Sequence, residues 1–284
     1  MTTVAELTAC LTGWLTRLMP DEPRTHALVA ALDETFGASP SPVTAAECAR
    51  IEAAAHRHSR HLELLFDPDG TTAPDDDSPG WPPPDPAEVR RRAAAVHDVR
   101  RLPGGVCVLR VDGLDALGLA QPYVDAAFTL ARGATGIVLD LRHNGGGDPA
   151  TVARIAGLLL GDAAVHLSTV VYRDRERQWW TPDLPAGTAT SATLAVLVGP
   201  GTFSSGEALA YHLQAQGRAA VVGAPTPGAA DHITPIRLTA QVTGHLPEAY
   251  VRDAVTGGNW EGSGVVPDVL SADAEATAVE LLAR

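Results

Sequence analysis

The chain has 284 residues, 45% of them apolar, enough to bury a sizeable core as one large domain or as a domain with an appendage. A formal charge of −13 and a pI near 5.1 argue against nucleic-acid or anionic-membrane partners, because both surfaces repel an acidic protein at long range. The three cysteines, Cys10, Cys48 and Cys107, lack metal-ligand spacing and read as small buried apolar residues of a reducing compartment. No stretch approaches a membrane span and the N-terminal Met-Thr-Thr-Val-Ala-Glu lacks a basic-then-apolar leader, so the expected location is cytoplasmic.

Helices are predicted over Val4 to Met19, Arg24 to Phe36 and Thr44 to His58, where apolar residues recur at three- and four-residue spacings between Pro-rich breakers. Residues 1–66 therefore form a small helical N-terminal region, ending in His56, His58 and His61 and the strand-like Leu62 to Phe66. Residues 67–95 read as a Pro/Asp-rich linker, in which Asp75-Asp76-Asp77 is a solvated charge run rather than a metal site. From residue 96 to 284 the pattern is α/β. Strands are expected at Val106 to Val111, Gly136 to Leu141, Val165 to Arg173, Leu194 to Val198 and Ala219 to Gly223, with hairpin strands near Ile233 to Leu238 and Tyr250 to Arg252. Helices are expected at Gln121 to Ala131, Pro149 to Leu160 and Glu207 to Gln216. Such interleaving implies a mostly parallel sheet with its ligand beyond the carboxyl ends of the strands, where Asp140 to Gly147 and Gly201 to Gly206 fall.

Ser204 and Ser205 sit where a strand turns into a helix, a junction that exposes a hydroxyl and offers unpaired N–H groups to an oxyanion. The competing reading is a helix cap, since Glu207 lies three residues after Ser204. Gly145, Gly146 and Gly147 let the backbone approach a ligand, and without a P-loop lysine or the spaced glycines of a dinucleotide fingerprint they suit an oxyanion hole better than a phosphate cradle.

Four stretches together resemble the tail-specific (C-terminal-processing) serine proteases: Asp140 to Gly147, Thr202 to Glu207, Gly217 to Gly223 and Asn259 to Asp268. The resemblance covers roughly residues 59 to 272 and is nearest to the branch of the tricorn core protease and the interphotoreceptor retinoid-binding protein repeats. It implies a ClpP/crotonase-like core, with Ser204 as nucleophile and Gly146 and Ser205 as oxyanion donors. The lysine of one branch is absent, because Thr226-Pro227-Gly228-Ala229-Ala230 has alanine in its place. By similarity to the tricorn-like branch, His61 in Ser59-Arg60-His61-Leu62 is the base and Glu261 orients it, while His232 is the rival base. Asp268 reads as a structural turn, Trp179-Trp180 as an exposed turn packed on the sheet, and no stretch between His61 and Val96 suits a PDZ module.

The expected function is a serine hydrolase, a peptidase working through Ser204, His61 and Glu261, without metal or organic cofactor, on a peptide or small-molecule acyl substrate. Two alternatives stay open: a noncatalytic binder of apolar ligands with the same fold, and a specialised-pathway hydrolase or cyclase. Oligomeric state is not legible.

Overall fold

The computed structural model describes residues 2–70 and 81–283; the Asp75-Asp76-Asp77 run lies outside the described residues. The chain divides into two compact units: residues 1–83, 170–177 and 230–251, and residues 84–169, 178–229 and 252–284. Two segments of the expected core, 170–177 and 230–251, thus cluster with the N-terminal helices.

The first unit opens with α1 (Val4–Leu18), α2 (Glu22–Phe36) and α3 (Ala45–Ala55), followed by β1 (Glu63–Phe66). Each helix begins on a side-chain cap: Thr3, Asp21 and Thr44 accept the N–H groups of Glu6, Arg24 and Glu47. Val4, Leu7, Leu11 and Leu15 form one stripe of α1 and are fully buried with Leu28 and Leu32 of α2, Ile51 of α3 and Leu62. Burial at this level stabilises by about 1.5–3 kcal/mol per large aliphatic side chain.

Then come α4 (Pro86–Arg91), β2 (Val96–Arg101), β3 (Cys107–Val111), α5 (Leu117–Ala131), β4 (Gly136–Asp140), α6 (Pro149–Leu160), β5 (His166–Tyr172) and β6 (Glu176–Trp180). The remaining elements are β7 (Thr193–Val198), α7 (Ser205–Ala215), β8 (Ala220–Gly223), β9 (His232–Arg237), β10 (Val242–Asp253), β11 (Val269–Leu270) and α8 (Ala274–Leu282). The second unit is built on a six-stranded sheet of order β11-β8-β7-β4-β3-β2. All its pairs are parallel except β2 with β3. Ile137, Val138 and Leu139 of β4 and Ala195, Val196 and Leu197 of β7 are buried on both faces, as the unbroken apolar runs of a covered parallel sheet require. The expected α/β fold with a mostly parallel sheet and a small helical N-terminal region is the one observed.

The other sheet runs β1-β10-β5-β6, with β9 also on β10. Both β1 and β9 pair with β10 antiparallel. The sequence suggested only a short strand near Tyr250, because Gly244 and Pro247 interrupt the run; β10 absorbs the proline with a register shift between Pro247 and Ala249. α5 starts at Leu117, ahead of Pro122, which lies inside the helix and delayed the predicted start to Gln121. No helix among the described residues is long and apolar enough to cross a membrane.

Ile137 is fully buried in β4, at the centre of the parallel sheet, with no solvent contact. Ile137→Ala is expected to lower unfolding stability by about 2–5 kcal/mol, read as a shifted denaturant midpoint at unchanged slope.

Candidate active site

In the second unit, β4 and β7 are parallel neighbours, and the loops that leave their carboxyl ends carry Gly145 to Gly147 and Ser204. Ser204 precedes α7 with φ 51° and ψ −121°, a left-handed backbone that L-residues rarely adopt. Such a conformation costs about 1–3 kcal/mol and persists only where its surroundings enforce it.

The enforcement is visible in hydrogen bonds. Thr202, fully buried, donates its hydroxyl to the Leu141 carbonyl at 2.7 Å and accepts the Gly199 N–H at 3.0 Å. The Phe203 N–H donates to the Asn144 carbonyl at 2.8 Å. The Ser205 hydroxyl donates to the Gly147 carbonyl at 2.7 Å. Serine turn and glycine loop are therefore held as one piece.

Gly146 is the closest point between them. A β-carbon there would lie 2.8 Å from Ser204 Cβ and 3.0 Å from the Phe203 carbonyl oxygen, and its φ of +95° is itself a glycine conformation. The Gly146 N–H, expected as an oxyanion donor, instead donates to Asn144 Oδ1 at 2.9 Å, and the Gly145 N–H donates to the Asp112 carbonyl at 3.2 Å. The Gly147 N–H has no hydrogen-bond partner among the described residues. The Ser205 N–H opens α7 and has no partner within that helix. These two N–H groups are left uncommitted by the hydrogen bonds of the loop and the turn among the described residues. Asn144, fully buried, also donates its amide to the Val111 carbonyl at 2.9 Å. The loop's start is fixed by Asp140, whose carboxylate takes both Nε and a terminal nitrogen of Arg142 at 2.9 and 2.7 Å. That guanidinium holds the Asp140 carboxyl below the usual aspartate value despite its burial.

Sequence reasoning missed the role of Glu207 and saw only its capping spacing. Its carboxylate is fully buried and accepts four hydrogen bonds. The donors are the Ser204 N–H at 2.9 Å, the Thr226 hydroxyl at 2.5 Å, the Gly228 N–H at 2.7 Å and the Ala229 N–H at 2.9 Å. Burial pushes this carboxyl above the ordinary glutamate value, against the pull of the four donors. The segment without the family's lysine is thus pinned beneath the serine turn. The same segment carries Glu261: the Gly262 N–H donates to the Gly228 carbonyl at 2.8 Å, and the Trp260 indole donates to the Ala229 carbonyl at 3.2 Å. Glu261 itself donates its N–H to Asn259 Oδ1 at 2.8 Å. Asp268 has the structural part expected of it, accepting the Val221 N–H at 2.7 Å and the Gln214 amide at 2.9 Å.

His61 and His232 belong to the first unit. His61 is buried between α3 and β1, not part of a solvated helix end, and its Nδ1 lies 2.5 Å from the Asp231 backbone carbonyl. A carbonyl only accepts, so Nδ1 carries the proton and Nε2 keeps its lone pair. His56, the residue capping α3, places Nε2 2.8 Å from the Leu62 carbonyl and donates to it. His232 is held at about 4 by burial first, and then by His61 and Arg177. A base so weak is poorly matched to taking a serine proton near neutrality.

A hollow of 360 Å³ lies at the Asp140–Arg142 pair, lined also by His97, Asp98, Arg100, Arg110 and Glu275. Its guanidiniums are engaged by carboxylates, Arg110 by Asp112 and Arg100 by Glu275, so it offers no uncompensated charge to a ligand. Among the described residues no cluster of three or more His, Cys, Asp or Glu is arranged to hold a metal ion.

Residues 96–271, more than half of the chain, match the sequence profile of Peptidase family S41. Structures of similar fold include a lipoprotein from Streptococcus agalactiae, 12% identical, with a TM-score of 0.66 over 100% of this chain and 97% of that one. A candidate peptidase from Parabacteroides merdae is 13% identical, with a TM-score of 0.60 over 92% and 89% of the two chains. A candidate S41 protease from Bacteroides fragilis is 18% identical, with a TM-score of 0.52 over 66% of this chain and 52% of that one. At these identities the likeness is one of fold. His61 lies ahead of the matched span.

Two outcomes follow from the packing. Gly146→Ala is expected to fold less stably and to lose serine reactivity altogether, because its methyl group displaces Ser204; a serine-directed probe and a melting curve check both. Glu207→Gln replaces four accepted bonds with one acceptor oxygen and an amide that faces donors. It is expected to cost about 2–5 kcal/mol despite its near-identical shape, measured by denaturant titration.

Proposed function

Because the chain belongs to Peptidase family S41, a family of serine-type peptidases, we propose that it cleaves peptide bonds with Ser204 as nucleophile and His61 as general base. The observation that carries this reading is the Ser204 turn: a serine in a costly left-handed conformation, between a strand and a helix, fixed by buried Thr202, Asn144 and Glu207. A helix cap needs none of that strain, since a serine caps from ordinary extended backbone.

In this mechanism the Ser204 oxygen attacks the scissile carbonyl carbon while His61 Nε2 takes its proton. The oxyanion receives the N–H groups of Ser205 and Gly147, the pair left available by the loop's own hydrogen bonds. Collapse expels the amine, to which His61 returns the proton, and leaves an acyl-enzyme on Ser204. Water, deprotonated by His61, then releases the acid. Glu261 supplies the negative charge that favours the imidazolium, while the Asp231 carbonyl fixes the tautomer. No step calls for a metal or an organic cofactor.

Labelling with a fluorophosphonate probe tests the reading. Wild type is expected to label and Ser204→Ala not at all. His61→Ala is expected to label about 10²- to 10⁴-fold more slowly, with Glu261→Gln intermediate. A folded wild type that neither labels nor cleaves a peptide library, yet binds an apolar ligand tightly, would replace this reading with the binding one.

A further inference from the structure

We propose that Asp231, clamped by Arg24 and Ser59, is the positioning residue for His61, so that the N-terminal helices set the tautomer and aim of the base. The proposal rests on His61 acting as that base.

The geometry lies within the first unit. The Asp231 side chain has 0% exposure and accepts hydrogen bonds from an Arg24 terminal nitrogen at 2.9 Å and from the Ser59 hydroxyl at 3.0 Å. Its backbone carbonyl accepts the His61 Nδ1–H at 2.5 Å. Arg24 stands in the first turn of α2, where its own N–H is capped by Asp21 at 3.1 Å. Ser59 is 1% exposed and its N–H donates to the Ala55 carbonyl at the end of α3. Arg24 and Ser59 thus converge on the Asp231 carboxylate, and the backbone of the same residue delivers the carbonyl to His61.

A buried ion pair is a weak stabilising device, because desolvating two charges offsets most of their attraction. What such a pair does well is fix one arrangement. Here the arrangement is the plane of the peptide bond after Asp231. A carbonyl that rotated away would leave Nδ1 without its acceptor, and His61 would then populate the tautomer with its proton on Nε2. That tautomer cannot accept a proton from serine at Nε2. The backbone of His61 is pinned as well, by Ser59 two residues before it and by the His56 bond to the Leu62 carbonyl just after it. His56, Ser59 and Arg24 all come from the helices or their ends, upstream of the family-matched span.

The deciding measurement on unaltered protein is a two-bond ¹H–¹⁵N correlation spectrum of histidine-labelled enzyme at neutral pH, with His61 assigned by its loss in His61→Gln. A single Nδ1–H tautomer is expected; an Nε2–H tautomer overturns the proposal. The same spectrum and the fluorophosphonate labelling rate are then read in Asp231→Ala, Asp231→Asn and Ser59→Ala. Asp231→Asn keeps both bonds, its oxygen accepting from Arg24 and its amide donating to the Ser59 oxygen. It is expected to keep the tautomer and to label within about threefold of wild type. Asp231→Ala is expected to mix tautomers and to label at least about tenfold more slowly, with Ser59→Ala between. If Asp231→Ala does not fold, Ser59→Ala carries the comparison. Unchanged spectrum and rate in the folded alanine variants, or equal impairment in Asp231→Asn and Asp231→Ala, overturns the proposal. Should wild type not label at all, the catalytic reading fails while the tautomer spectra still decide whether Asp231 positions His61.

Discussion

The second unit depends on one buried anion. Glu207 has no cation among its four hydrogen-bond donors, so its charge is met by dipoles alone: three backbone N–H groups and a hydroxyl, at the positive end of α7. That arrangement is stable only if every donor is present, because a buried carboxylate missing one of them has no water to turn to. The requirement runs backwards as a constraint on the fold. Ser204 must offer its N–H from a strained turn, and the chain from Thr226 to Ala229 must come in beneath it. With that chain come Trp260 and Gly262, which hydrogen-bond to it and carry the turn of Glu261. One carboxylate thereby assembles the Ser204 turn, the segment without lysine and the C-terminal motif.

Much of the frame was legible because its physics is local. Ile137 to Leu139 and Leu194 to Val198 are apolar without interruption, which only a covered parallel sheet tolerates, and the glycines and serines at their ends fall where such a sheet puts its loops. The helices of the first unit were legible from periodicity and from the Pro-rich breakers between them. What was hidden is what depends on partners far away in sequence. β10 was hidden because Gly244 and Pro247 argue against a strand, and only pairing to β1 and β9 overrides them. Asp231 was hidden because nothing near it in sequence shows that its carboxylate faces Arg24.

The glycine loop shows the same boundary at finer grain. Three successive glycines announced a close backbone approach, and the approach exists, with Gly146 against Ser204. Which N–H remains available is a different matter, decided by Asn144, whose side chain takes the Gly146 N–H and also bonds to Val111 on β3. The pattern Asn-Gly-Gly-Gly names the loop without assigning its donors, because any of the three could point outward. Ser205 is similar. Its hydroxyl bonds to the Gly147 carbonyl and ties the turn to the loop it faces.

The partner that His61 has at Nδ1 divides the duties usually given to one carboxylate. A carboxylate on Nδ1 fixes the tautomer and also stabilises the imidazolium by its charge. The Asp231 carbonyl does only the first, and the charge on the same residue is balanced by Arg24, so little negative field reaches the ring from that side. A base held in this way has its tautomer set by a neutral carbonyl. Catalysis at such a ring needs a separate negative charge, present when the proton arrives, and that is the part proposed for Glu261. On this division, losing the Asp231 clamp scatters the base, whereas losing the Glu261 charge leaves it aimed and weak.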